Sequence, residues 1–191
     1  TCFKHDISVF NGSEVPTELH DQTGHYGEVA SDPLPLALGA EWIAVHYPDF
    51  SDYTCGMHVH VSLRKVAFYQ RLATRDFFNY WHKNLFAWGR ETGVEDSDFW
   101  VRLDGGNKFC RKTFAAEAQV GLTRKEGNTR RTQLNYCYNL HKTIECRVFP
   151  IFAKAETAVQ ALYAHVWIIE KYLKETRPQK NSTRLILKAI E

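Results

Sequence analysis

Apolar side chains recur along this chain with two periods, which sort it into short strands and longer helices. The period of two is clearest in the stretch Tyr53-Thr-Cys-Gly-Met-His-Val-His-Val-Ser-Leu63, where Val59 and Val61 point one way and His58 and His60 the other. It recurs in Thr143-Ile-Glu-Cys-Arg-Val-Phe149, with Ile144, Cys146 and Val148 on one face and Thr143, Glu145 and Arg147 on the opposite one. Residues 3–10 also read as a strand, closed by the turn Asn11-Gly12-Ser13, and the polar stretch from there to His25 as loop. Residues 26–31 read as a strand ended by Pro33 and Pro35, and residues 132–140 as one joined to 142–149 at His141, as in a hairpin.

The helical period takes over in three places. Leu36 to Val45 predicts a helix before Pro48. Residues 66–91 carry Phe68, Leu72, Phe78, Trp81, Leu85 and Trp88 at spacings of three to four, with Thr74 placed to cap a second helix inside the stretch and Gly93 closing it. An aromatic stripe of this kind belongs to a core. Residues 154–175 present Ala155, Val159, Leu162, Val166, Ile169 and Leu173 as one stripe, ended by Arg177-Pro178; the tail to Glu191 reads as a further helical turn or two. Strands and helices mix without βαβ alternation. That predicts an α+β fold, an antiparallel sheet with helices packed on one face, as one domain over residues 1–191.

Composition adds limits. With 44% hydrophobic and 24% charged residues, the chain is of ordinary globular make-up, and a formal charge of +2 gives no reason to expect nucleic-acid or membrane-surface binding. No apolar run approaches the roughly 20 residues of a membrane helix, and no secretory signal is visible. The five cysteines are odd in number and irregularly spaced without a CxxC, which fits a reducing, cytoplasmic setting better than a disulfide framework. Cys55 stands three residues before His58, yet the spacing fits no common structural zinc pattern.

The chemistry sits on the polar faces. Paired imidazoles on one strand face are costly to bury unless a metal, a phosphate or a carboxylate binds them. A second strand presents Glu145 and Arg147 on one face, and the four groups together look like the floor of an active site. The turn Asp104-Gly105-Gly106-Asn107-Lys108 lacks the spacing of a Walker loop. Residues 108–131 hold seven Lys/Arg against two Glu; Lys108, Arg111, Lys112, Arg124 and Lys125 read as solvated. His5, His20, His25, His46, His82, His141 and His165 lie outside any motif and read as non-ligands.

Gly56-Met-His-Val-His-Val-Ser62, followed far downstream by Ile144-Glu-Cys-Arg-Val-Phe-Pro150, resembles the amidoligase family of the glutamine synthetase-like carboxylate–amine ligases. Tyr26-Gly-Glu-Val-Ala-Ser-Asp-Pro-Leu34 is similar to a third motif of that family, and His5-Asp-Ile-Ser-Val9 is a weaker match; the three stronger motifs occur in the family's order. The resemblance implies a glutamine synthetase-like catalytic fold and an ATP-dependent ligase. A carboxylate takes the γ-phosphoryl group to form an acyl phosphate, and an amine then displaces phosphate. It implies ATP and Mg²⁺ or Mn²⁺ as cofactors, and small-molecule or peptide carboxylates and amines as substrates. By the same resemblance His58 is a metal ligand, His60 and Ser62 lie beside the nucleotide, and Glu145 shares its ion with His58. Glu28 ligates a second ion with Asp6 as a further candidate, Arg130 and Arg131 contact phosphates, and Arg147 holds anionic groups of the substrate.

The chain departs from the family at three points. Thr143 stands where an arginine is usual, Leu36 where a second glutamate is usual, and nothing before residue 3 supplies the family's opening Glu-x-Glu strand, since Glu14 and Glu18 have the wrong spacing. The expectation is that residues before Thr1, or a partner chain, complete the sheet. Two rival readings stand beside the ligase. One is a non-catalytic binding or structural protein that retains the fold. The other is a metal-dependent oxygenase or hydrolase using His58, His60 and Glu145 as a two-histidine, one-carboxylate face, although a cupin follows its HxH with a nearby glutamate and here Ser62-Leu-Arg-Lys-Val follows.

Overall fold

Where apolar residues alternate the chain is extended, and where they recur every three to four residues it is helical. The computed structural model describes residues 31–48, 55–114, 131–138 and 142–177, together with the backbone of 2–5 and 27–30. The order is β1 (Cys2–His5), β2 (Gly27–Ala30), α1 (Leu36–His46), β3 (Gly56–Ser62), α2 (Val66–Leu72), α3 (Arg75–Glu91), α4 (Ser97–Asp104), β4 (Leu134–Cys137), β5 (Thr143–Pro150) and α5 (Ala155–Glu175). The architecture is α+β, with two antiparallel sheets among the described residues: a two-stranded β1–β2 pair and a three-stranded sheet in the order β3-β5-β4. Among the described residues these strands do not form the expected single sheet. Residues 6–10, the turn at Asn11, His141 and the tail from Pro178 lie outside the described residues.

The helical stretch is two helices divided at Thr74, as its capping position predicts. Thr74 is extended, and its hydroxyl accepts the Phe77 N–H at 3.1 Å, which starts α3 afresh. Helix α4 is an element that apolar periodicity did not reveal, because it is eight residues long. Its signals are local: Asp96 accepts the N–H groups of Asp98 and Phe99, and Gly105 ends it at φ +90. A Cβ at Gly105 would also stand 2.6 Å from that of Lys112.

The core lies between the apolar face of the three-stranded sheet and the helices. Val59, Ile144, Cys146 and Val148 meet Phe77, Trp81, Leu85, Ala158, Ala161 and Ile168 there, all buried. Helix α5 packs on α1, α2 and α3 as well as on β3 and β5. Of the expected stripe Leu162 and Ile169 are buried, whereas Ala155, Val159, Val166 and Leu173 are only half-buried; the buried face is turned toward Ala158, Ala161, His165 and Ile168. Phe68, expected in the aromatic stripe, is exposed, and Phe77 takes the core position instead. No helix among the described residues is long and apolar enough to cross a membrane.

Candidate functional site

Register decides which side chains of the sheet meet. In the β3–β5 pair His60 stands opposite Glu145 and Ser62 opposite Thr143; in the β4–β5 pair Asn135 stands opposite Glu145. The central strand thus places Glu145 between His60 and Asn135 on the polar face. The ladder is irregular between Met57 and Val59, where Met57 pairs with Phe149 and Val59 with Cys146. Two steps on β3 therefore match three on β5, and this bulge sets Arg147 and Val148 beside His58. Bulges re-aim side chains, and here two pairs of groups far apart in sequence converge.

Glu145 is the hub, with a side chain 0% exposed. Its Oε1 accepts Arg147 Nη1 at 2.7 Å and lies 3.3 Å from His58 Nδ1 and 3.7 Å from His60 Nε2. Its Oε2 accepts Asn135 Nδ2 at 2.6 Å and faces Cys137 Sγ at 3.7 Å. His60 Nδ1 is 3.1 Å from Thr143 Oγ1, so the residue standing where the ligases place an arginine steadies the second histidine. Burial alone would raise the Glu145 carboxyl; Arg147, the two imidazoles and the Asn135 hydrogen bond outweigh it and hold the group down at about 2. His58 is pushed down to about 4, first by desolvation and then by the positive charge of Arg147, with Glu145 opposing. Its ring keeps a 28% exposed edge, and at neutral pH it is an uncharged imidazole against a carboxylate–guanidinium pair.

No protein-family model, no curated protein and no solved structure matches this chain. The functional reading therefore rests on the geometry and on the motifs.

The structure brings together His58, His60, Glu145 and Arg147. Ser62 is exposed at the end of β3, on the side of the strand that carries the histidines. Glu28 lies in β2 opposite Lys4, and β2 pairs with β1 rather than, among the described residues, with the three-stranded sheet. Arg131 is exposed and stands over the Phe109 ring at 5.6 Å from its centroid; none of its described contacts reaches the Glu145 cluster. Asp6 and Arg130 lie outside the described residues.

The described groups do not by themselves fit a magnesium ion. Magnesium takes several oxygen ligands, whereas the cluster offers one carboxylate whose two oxygens already meet Arg147 and Asn135. Among the described residues no group of three or more His, Cys, Asp or Glu is placed to hold a metal ion, the oxygenase-type face of His58, His60 and Glu145 included. Two imidazole edges stand beside a buried arginine whose Nε has no hydrogen-bond partner among the described residues.

Sequence reasoning missed four members of this neighbourhood. Asn135 and Cys137 were hidden because their relation to Glu145 depends on hairpin register. Arg102 and Asp98, on α4, are brought in by tertiary packing. Arg102 is 1% exposed, and its charge is one of the influences depressing His58.

Proposed function

We propose that the face carrying His58, His60, Glu145 and Arg147 is the centre of an ATP-dependent carboxylate–amine ligase of glutamine synthetase-like fold, working through an acyl phosphate. The observation that carries this reading is the convergence of two motifs from distant parts of the chain on one buried carboxylate. The reaction brings a nucleotide phosphate and a substrate carboxylate together, and each needs positive or donating groups around it. Arg147 supplies a planar guanidinium suited to a carboxylate or phosphate. His58, uncharged at neutral pH, can donate or accept a hydrogen bond without bringing a charge, and the His60 ring stands beside it against the same carboxylate. Glu145 holds Arg147 and both rings in place until substrate competes for them.

In the first step a substrate carboxylate oxygen bonds to the γ-phosphorus as the bond to the bridging oxygen of ADP breaks. In the second the amine nitrogen bonds to the acyl carbon, phosphate leaves and the nitrogen loses a proton. The resemblance assigns one divalent cation, Mg²⁺ or Mn²⁺, to the His58–Glu145 pair and a second to Glu28, and such ions would shield the phosphate charge. The buried thiols Cys110 and Cys146 support a cytoplasmic, reducing setting.

A second reading, a non-catalytic binding protein that retains the fold, is favoured by one observation: Glu145 is already fully engaged within the protein. One experiment separates the two. Thermal melts with millimolar ATP and Mg²⁺ or Mn²⁺ are expected to shift Tm upward, and ATP alone is not. With hydroxylamine as the amine, the ligase is expected to release hydroxamate from its carboxylate substrate. A flat melting curve with Mg-ATP and Mn-ATP overturns the ligase reading.

A further inference from the structure

A buried guanidinium is tolerated where its donors are met. In Arg102 Nε donates to Asp98 Oδ2 at 2.7 Å, one turn earlier on α4, and Nη2 donates to the Cys55 carbonyl at 2.6 Å. Nη1 stands 2.8 Å from the point where a Cβ on Gly56 would lie, so glycine is the residue that admits it. One side chain of α4 thus grips the backbone at the entry of β3, two to three residues before His58.

The backbone of α4 at Arg102 is held as well. Gln133 Nε2 donates to the carbonyls of Arg102 and Leu103, at 2.8 and 2.7 Å, and the Gln133 carbonyl accepts the Arg147 N–H at 3.0 Å. Helix α4 is therefore tied on one side to the strand of His58 and on the other to the neighbour of Arg147. This matters because of the bulge. Met57 and Val59 have register partners in β5 but His58, between them, falls where the ladder shifts. Ladder pairing fixes that residue less firmly than its neighbours, and the position of His58 must be set from elsewhere.

We infer that Arg102 is a positioning residue: from α4 it clamps Cys55 and Gly56 and so holds the His58 ring against Glu145. The inference rests on the reading of this face as the functional centre, and its test does not use nucleotide or turnover. Histidines are modified with diethyl pyrocarbonate and the rate at each ring is followed by mass spectrometry, with exposed His46 on α1 as the internal reference. Arg102→Lys keeps the charge but loses the fork that spans two acceptors. Gly56→Ala keeps Arg102 and places a Cβ against Nη1 and 3.1 Å from the Phe149 carbonyl.

Loss of about one hydrogen bond's worth of restraint corresponds to a population change of about three- to tenfold. Both variants are expected to raise the His58 rate relative to His46 by that factor, while fully buried His165 stays unreactive. An unchanged His58 to His46 ratio overturns the inference, and so does a rise that includes His165, which would mark general loosening. Should Arg102→Lys fail to fold, Asp98→Asn removes the counter-charge at nearly constant shape; a raised ratio with silent His165 supports the clamp, and an unchanged ratio overturns it. A protein that ignores Mg-ATP yet shows the His58 response loses the ligase reading and keeps this one.

Discussion

Glu145 and Arg147 form a buried pair whose strength can be worked out before it is measured. The carboxylate is 0% exposed and the guanidinium 8%, at 2.7 Å. Holding the Glu145 carboxyl at about 2 rather than 4.5 corresponds to about 3 kcal/mol in favour of the charged form. Breaking a buried pair by removing one partner costs about 3–5 kcal/mol, because the other charge stays behind uncompensated. Glu145→Gln is therefore expected to lose about 3 kcal/mol, and Arg147→Met a similar amount. The double variant leaves no orphaned charge, so its loss is expected to fall short of the sum by about 2 kcal/mol or more. Urea denaturation at pH 7 on the four proteins closes the cycle. The pH dependence carries a second check. The folded value lies below the unfolded one, so the contribution is complete above about 4.5 and is lost as pH falls toward about 2. Glu145→Gln is expected to flatten the stability profile in that window. Single losses under about 1 kcal/mol, or strict additivity, would falsify the account of Glu145 as the hub.

Two further outcomes test the frame around the site. Thr74→Ala removes the acceptor of the Phe77 N–H at the start of α3 and is expected to cost about 1 kcal/mol by urea denaturation, whereas Thr74→Ser recovers most of it. His165 is fully buried, its Nδ1 accepts Trp81 Nε1 at 2.9 Å, and burial pushes it down to about 3. The unfolded chain binds the proton more readily, so stability from this group is full above about 6.5 and declines with acid; it is expected to be about 2 kcal/mol lower at pH 5 than at pH 7. His165→Asn, which keeps an acceptor for the indole, is expected to remove that part of the slope, and an unchanged slope between the two pH values refutes the assignment.

Much of the fold was legible because it follows from local pattern. The alternation at His58 and His60 and at Glu145 and Arg147 is a strand property, and the structure keeps both pairs on polar faces. Thr74 was legible as a cap because capping needs one hydroxyl and one N–H three residues on. Helix α4 escaped because two turns carry too few apolar positions to show a period, although Asp96 and Gly105 mark its ends. On α5 the stripe found Leu162 and Ile169 but not the rest of the buried face, Ala158, Ala161, His165 and Ile168, because the alanines and the histidine carry little hydrophobic signal of their own.

The site divides along the same line. Which residues share a strand face is a matter of parity, and the sequence is sufficient for it. Which residues face one another across strands depends on the register of the turn, and there one step changes the chemistry. A hairpin centred on His141 would set Cys137 opposite Glu145. The observed pairing sets Asn135 there and Cys137 opposite Thr143. The amide of Asn135 gives Glu145 Oε2 a hydrogen bond of 2.6 Å, closer than the Cys137 thiol at 3.7 Å, and that bond helps keep the carboxylate ionised inside the protein. The bulge near Arg147 is a second such step, since it moves the guanidinium toward His58 without any signal in the alternation. Arg102 is a third: a lone arginine on a short helix becomes part of the site once Gly56 leaves room for it. What parity cannot supply, in each case, is the identity of the neighbour, and in this site the neighbours set the charge state of Glu145 and His58.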